Sequence, residues 1–146
     1  MEQWSRSLCT AGEREAATLT EPTAGVREVL EAAASRDATV VIVTNNSPEC
    51  ATAFLAAYQL SHLVHNVIGR DPHHIDQMKP APTMLLSGIA RHPRHAVMIG
   101  DSASDIAAAI AAGVPAVGLA KNDQRAEELD HAGASAVVRS MRELTF

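Results

Sequence analysis

Aromatic side chains are scarce in this chain: one Trp, one Tyr and two Phe among 146 residues. A core built on ring stacking is excluded. The interior must be aliphatic, and Ala-rich helices suit that because Ala has the best helix propensity and lets elements pack closely. Lysine is almost as rare. Ten of the twelve basic residues are Arg, and only Lys79 and Lys121 are Lys. The basic residues are scattered and the formal net charge is −5, which argues against a nucleic-acid partner, since phosphate backbones are held by clustered cations. Two cysteines, Cys9 and Cys50, make no disulfide framework and read as reduced thiols of a cytoplasmic protein. The first residues, MEQWSRSLCTAGERE, contain no apolar stretch of the kind a secretory signal needs. No apolar run approaches the ~20 residues of a membrane span, so no membrane partner is expected.

From Pro22 onward the pattern is regular. Pro22–Ser35 reads as a helix with Val26, Val29, Leu30 and Ala33 on one face. Thr39–Thr44, TVVIVT, is a short β-branched run of the kind buried on both faces of a parallel sheet. A helix over Pro48–Tyr58 follows, then a weaker strand over His65–Gly69 and a helix over Ala81–Ala90. A strand over His95–Gly100 leads into a helix over Ser102–Ala112, stopped by Gly113. The series ends with a strand at Val114–Leu119, a helix at Asp123–His131 and a strand at Ala136–Val138. Strands alternating with helices predict right-handed crossovers and a parallel α/β sheet. The first 21 residues differ. They are polar, GEREAATL suggests a helix, and no apolar strand precedes Thr39.

Parallel sheets place functional loops at the C-terminal ends of their strands, and three such ends carry polar residues. Thr44-Asn45-Asn46-Ser47 follows the apolar strand directly. A hydroxyl beside free N–H groups at a helix start can hold an anion, or the segment is simply a capping turn. Lys79 lies in Met78-Lys79-Pro80-Ala81-Pro82. Its ammonium is either a solvated charge or, with the prolines restraining the loop, aimed at a phosphate or carboxylate. In Gly100-Asp101-Ser102-Ala103-Ser104-Asp105, two carboxylates spaced one helical turn apart suit a hard cation such as Mg²⁺. The alternative is that Asp101 caps the helix and Asp105 favours its dipole. The paired histidines His62/His65, His92/His95 and His73-His74 read as solvated side chains.

In this order the three segments resemble the second, third and fourth motifs of the haloacid dehalogenase (HAD) superfamily. Those motifs are a Thr or Ser after a hydrophobic strand, a Lys before a helix, and GDSxxD after another strand. The run MIGDSASDIAAAIAAGVPAVGLAK is especially similar. The resemblance spans roughly Pro22–Leu144 and implies a three-layer, Rossmann-like α/β core that hydrolyses small phosphorylated molecules. It implies that Thr44 and the Asn45 backbone bind the phosphoryl group. Lys79 would neutralise it, Asp101 would ligate Mg²⁺, and Asp105 would support the metal or orient Lys79.

The chain departs from the family at the first motif, DxDx[TV], whose aspartates are nucleophile and general acid. No Asp-x-Asp occurs anywhere in the sequence. Residues 1–21 are therefore expected to be a remnant of a helical cap and linker, with the core over 22–146 and its first strand missing. In the family that strand lies between those ending here at Thr44 and Gly100. Its absence would leave the two about 10 Å apart unless they close up or another segment fills the slot. Exposed strand edges predict a homodimer or a complementing chain, with the residues before Glu21 in the contact. Two functions follow. One is a phosphatase core inactive alone, with weak or absent Mg²⁺ binding. The other is a non-catalytic domain that binds a phosphorylated ligand or a protein partner.

Overall fold

A computed structural model describes residues 21–89 and 96–144. The expected cap remnant, apart from Glu21, lies outside the described residues, as do His95 and Ala90 at the ends of their elements. Five α-helices and five strands alternate along the described chain. They are α1 (Val26–Ser35), β1 (Val41–Val43), α2 (Pro48–Ala57), β2 (Asn66–Ile68) and α3 (Thr83–Ile89), then β3 (Met98–Gly100), α4 (Ala103–Ala112), β4 (Ala116–Leu119), α5 (Asp123–His131) and β5 (Ala136–Val138). Short 3₁₀ turns occupy Ser61–Leu63, Ile75–Gln77 and Met141–Glu143. Every strand pairing is parallel. The α/β class and the order of elements are as the sequence pattern predicts, although the strands are shorter.

Two helix starts differ from expectation by more than one residue. Helix α1 begins at Val26, not at Pro22, because Gly25 precedes it in a left-handed conformation with φ 86°. A Cβ on Gly25 would stand 2.9 Å from Arg142 Cγ, so the turn also lets the C-terminal 3₁₀ turn approach. Helix α3 begins at Thr83, after both prolines, not at Ala81. The end of α4 is as expected: Gly113 adopts φ 75° and closes the helix.

The alternation of β1 explains the layering. Val40 and Ile42 pack with Leu30 of α1, Leu55 of α2, Leu60 and Leu63. Val43 faces the other way, onto the cluster of Leu85, Ile106, Ala109, Ala116 and Leu129 from α3, α4, β4 and α5. Val41 meets α3 at Gly88, where an added Cβ would lie 3.3 Å from the Val41 side chain. The period of two thus puts α1 and α2 on one face and α3, α4 and α5 on the other, giving three layers. Ile106 and Leu129 are fully buried and anchor the second of these cores.

The strands form two sheets, β1-β2 and β3-β4-β5. Among the described residues β1 and β3 do not pair, so these strands have not closed up on each other. Thr44 N–H donates to the Ile68 carbonyl at 2.9 Å, and His65 N–H donates to the Val40 carbonyl at 2.8 Å. Even-numbered residues of this stretch therefore direct their main-chain groups at β2. Val41 and Val43 direct theirs at the opposite edge.

Candidate active site

The C-terminal end of β1 turns sharply at Thr44–Ser47. Ser47 is the N-cap of α2 and accepts from Cys50 N–H at 3.2 Å. Thr44 Oγ1 accepts from Asn46 N–H at 3.0 Å. The Asn46 N–H is thus taken within the turn. Accepting that bond leaves the Thr44 hydroxyl hydrogen to donate elsewhere. The Asn45 N–H has no partner among the described residues.

Lys79 comes from a different loop, after the 3₁₀ turn Ile75–Gln77, and is brought to the same tip. Its ammonium donates to the Val43 carbonyl at 3.0 Å and to the Asp105 carboxylate. The Lys79 side chain is only 10% exposed, so it is no solvated surface charge. An ammonium carries three donors, and two are engaged here.

Asp105 is the hub of the third segment. It is buried, and its second carboxylate oxygen accepts from the N–H groups of Asp101 at 3.1 Å and Ser102 at 3.2 Å. Ser102 Oγ accepts in return from Asp105 N–H at 3.3 Å. This is a reciprocal capping box with Ser102 as N-cap, so Asp101 does not cap α4. Ser outcompetes Asp101 because the acid three residues later completes the box. Gly100 is required beside it: a Cβ there would sit 2.3 Å from Asp105 Cβ.

The arrangement bears on metal binding. Both oxygens of Asp105 are engaged by Lys79 and the two N–H groups, so of the two expected roles it is placed to orient Lys79. Asp101 is exposed and its carboxylate accepts nothing among the described residues. It offers one hard oxygen ligand of the kind Mg²⁺ takes along with several waters. Among the described residues no group of three His, Cys, Asp or Glu side chains gathers to hold an ion. One ammonium against two aspartates leaves this tip net negative, and a phosphoryl anion would gain from a cation at Asp101.

Hydrogen bonds thus join Asn45 to Lys79, Lys79 to Asp105, and Asp105 to the Asp101 N–H, while Thr44 follows Val43, whose carbonyl holds the Lys79 ammonium. Three contributors escaped the sequence reading: the Val43 carbonyl, the Asn45 side chain and the space kept by Gly100. Only Gly100 left a signal, as a glycine between an apolar strand and an acid. A surface depression of about 630 Å³ lies elsewhere and is lined by Gln124, Glu127, Glu128 and His131 among others. Its acidic wall suits no phosphate. No helix among the described residues is long and apolar enough to cross a membrane.

Comparison with known proteins identifies the family. The profile of the haloacid dehalogenase-like hydrolases matches residues 7–113. A phosphoglycolate phosphatase of Haemophilus influenzae is 35% identical over 95 residues, covering 64% of this chain and 42% of that protein. One from Escherichia coli is 30% identical over 122 residues, covering 82% and 48%. The chain thus spans a little under half the length of such relatives. Among solved structures, a HAD family hydrolase from Deinococcus radiodurans, with bound phosphate and sodium, superposes with TM-score 0.75 at 25% identity, covering 88% of this chain and 59% of that one. A subfamily IA hydrolase from Geobacter sulfurreducens gives 0.70 at 28% identity, covering 89% and 62%. The chain belongs to the haloacid dehalogenase-like hydrolase family.

Proposed function

We propose that this chain forms the phosphoryl-binding and cation-binding side of a Mg²⁺-dependent phosphatase site, and that it does not hydrolyse phosphate esters alone. The observation that carries the reading is the Lys79 ammonium, held between Asp105 and the carbonyl of Val43, the residue before Thr44. A buried cation with one donor to spare, beside a hydroxyl and the Asn45 N–H, is a preorganised anion site. Asp101 would hold Mg²⁺, which when bound supplies further charge neutralisation. The chemistry also needs a carboxylate nucleophile and an acid for the leaving group. The sequence has no Asp-x-Asp, and Asp101 and Asp105 sit on the metal and lysine side of the site. Among the described residues the facing edges of β1 and β3 are unpaired, which favours a complementing strand, from another chain or a second copy. The substrate class we propose is a small phosphate monoester in the cytoplasm. Relatives named for phosphoglycolate favour a phosphorylated carboxylic acid. A second reading, a phosphate- or partner-binding domain without catalysis, draws on the same lack of Asp-x-Asp.

The test is titration of the chain with inorganic phosphate, with and without Mg²⁺, followed by ³¹P NMR. Saturable binding that Lys79→Ala weakens supports the reading. Equal weak binding to both proteins contradicts it.

A further inference from the structure

Asn45 makes two side-chain hydrogen bonds that no capping or anion-binding role explains. Its Nδ2 donates to the Lys79 carbonyl at 3.1 Å, and its Oδ1 accepts from the Lys79 N–H at 2.8 Å. Both main-chain groups of Lys79 are thus satisfied by one amide, 34 residues away in sequence. The ammonium of the same lysine returns to the Val43 carbonyl, two residues before Asn45. The tip of β1 therefore grips Lys79 at its backbone and at its head. Free in solution, a lysine side chain has several rotatable bonds and about 1.5–2 kcal/mol of rotamer freedom to lose on ordering. An ammonium tethered only by Asp105 would keep part of that freedom. Tethering the backbone as well restricts where the side chain can start, and so restricts the positions open to its ammonium.

We infer that Asn45 is a positioning residue: its side-chain amide clamps the Lys79 backbone and so holds the ammonium at the anion site. This deepens the phosphoryl-site reading, and the importance of Lys79 to function rests on that reading. Asn45 was expected to act through its backbone. In this structure its side chain has a second role, and the amide need not touch the ligand.

The chain offers a direct readout because it has only two lysines, Lys79 and exposed Lys121. Lysine labelled with ¹³C and ¹⁵N gives two side-chain signals, assigned with Lys121→Arg. In the parent protein the two Hε protons of Lys79 should be inequivalent, as for a held side chain, while those of Lys121 are averaged. In Asn45→Ala the Lys79 splitting should collapse towards the Lys121 pattern, and the dissociation constant for inorganic phosphate should rise about tenfold. If Asn45→Ala fails to fold, Asn45→Asp decides. It keeps an acceptor for Lys79 N–H but loses the donor to the carbonyl, so part of the splitting should be lost. Collapse of the splitting in a protein that binds no phosphate would uphold the clamp and overturn the phosphoryl-site reading. A folded variant with a lowered melting temperature but unchanged Lys79 signals would overturn the clamp and reduce Asn45 to a loop-stabilising residue.

Discussion

Lys79 and Asp105 form a buried ion pair that ties the loop after β2 to the first turn of α4, with side chains 10% and 7% exposed. The pair spans the open edge between β1 and β3, because Lys79 also reaches the Val43 carbonyl. Its value to stability is not simply additive. Desolvating two charges offsets much of their attraction, whereas removing one partner leaves an uncompensated buried charge.

Asp105→Ala should therefore destabilise the fold strongly, by about 3–5 kcal/mol, since it strands Lys79 and removes the capping box together. The double variant Lys79→Met/Asp105→Leu should recover part of that loss. Urea denaturation of the two variants beside the parent measures both. Equal midpoints for the single and double variants would contradict the pairing.

Core packing makes a second prediction. Leu129 is fully buried and closes over Gly118, where an added Cβ would meet its side chain at 3.0 Å. Leu129→Ala should cost about 2–5 kcal/mol, and Gly118→Val should also destabilise by overpacking. A change within about 0.5 kcal/mol, the range of ordinary surface substitutions, would mean that α5 does not lie on β4 in this way.

Acid dependence should include a contribution from Glu28. A hydrogen bond with its own backbone holds its carboxyl below the usual value, opposed by slight desolvation and helped by Arg142 and then Arg27. A carboxyl depressed in the folded state contributes stability above its unfolded pKa and loses it as pH falls through the folded one. The contribution is present at neutral pH and disappears on acidification below the usual carboxylate range. Its size is small because Glu28 is exposed and its contact with Arg142 is long, at 3.5 Å. Glu28→Gln should flatten the melting temperature against pH in that acid window and leave the neutral-to-alkaline limb parallel to that of the parent.

Charge at the site gives a prediction with a definite sign. Without added metal, Asp101→Asn removes a negative charge from the tip and should tighten inorganic phosphate binding. With Mg²⁺ the order should reverse, because the variant loses the cation's carboxylate. Isothermal titration in the two conditions checks this. Equal binding to parent and variant in both conditions would place Asp101 outside the site.

Much of this was legible in the sequence because the signals are local. TVVIVT announces a buried strand, and β1 is indeed faced by helices on both sides. The helix after Gly100 is legible in the sequence, although the cap considered there was Asp101 and the structure uses Ser102. The start of α1 was misplaced because Pro22 is a local signal, whereas Gly25 answers to Arg142, more than a hundred residues away. The Asn45 clamp was invisible for the same reason. Its two hydrogen bonds join residues 34 positions apart, and nothing in either segment announces the other.

The edges of β1 and β3 that are unpaired among the described residues lead to a proposal about association. Unpaired strand edges promote pairing between chains, so light scattering of the purified chain at micromolar concentration should give the mass of a dimer. A monomer throughout that range would count against it.

The account turns on whether this chain carries the anion side of the site without the nucleophile. The direct measurement is hydrolysis of p-nitrophenyl phosphate with Mg²⁺ by the purified chain, by Asp101→Asn, and by a version preceded by a hydrophobic strand ending in Asp-x-Asp. The account predicts no turnover above background for the chain alone and turnover for the extended version. Turnover by the chain alone that Asp101→Asn abolishes would contradict it, and would mean that another residue of this sequence attacks phosphorus.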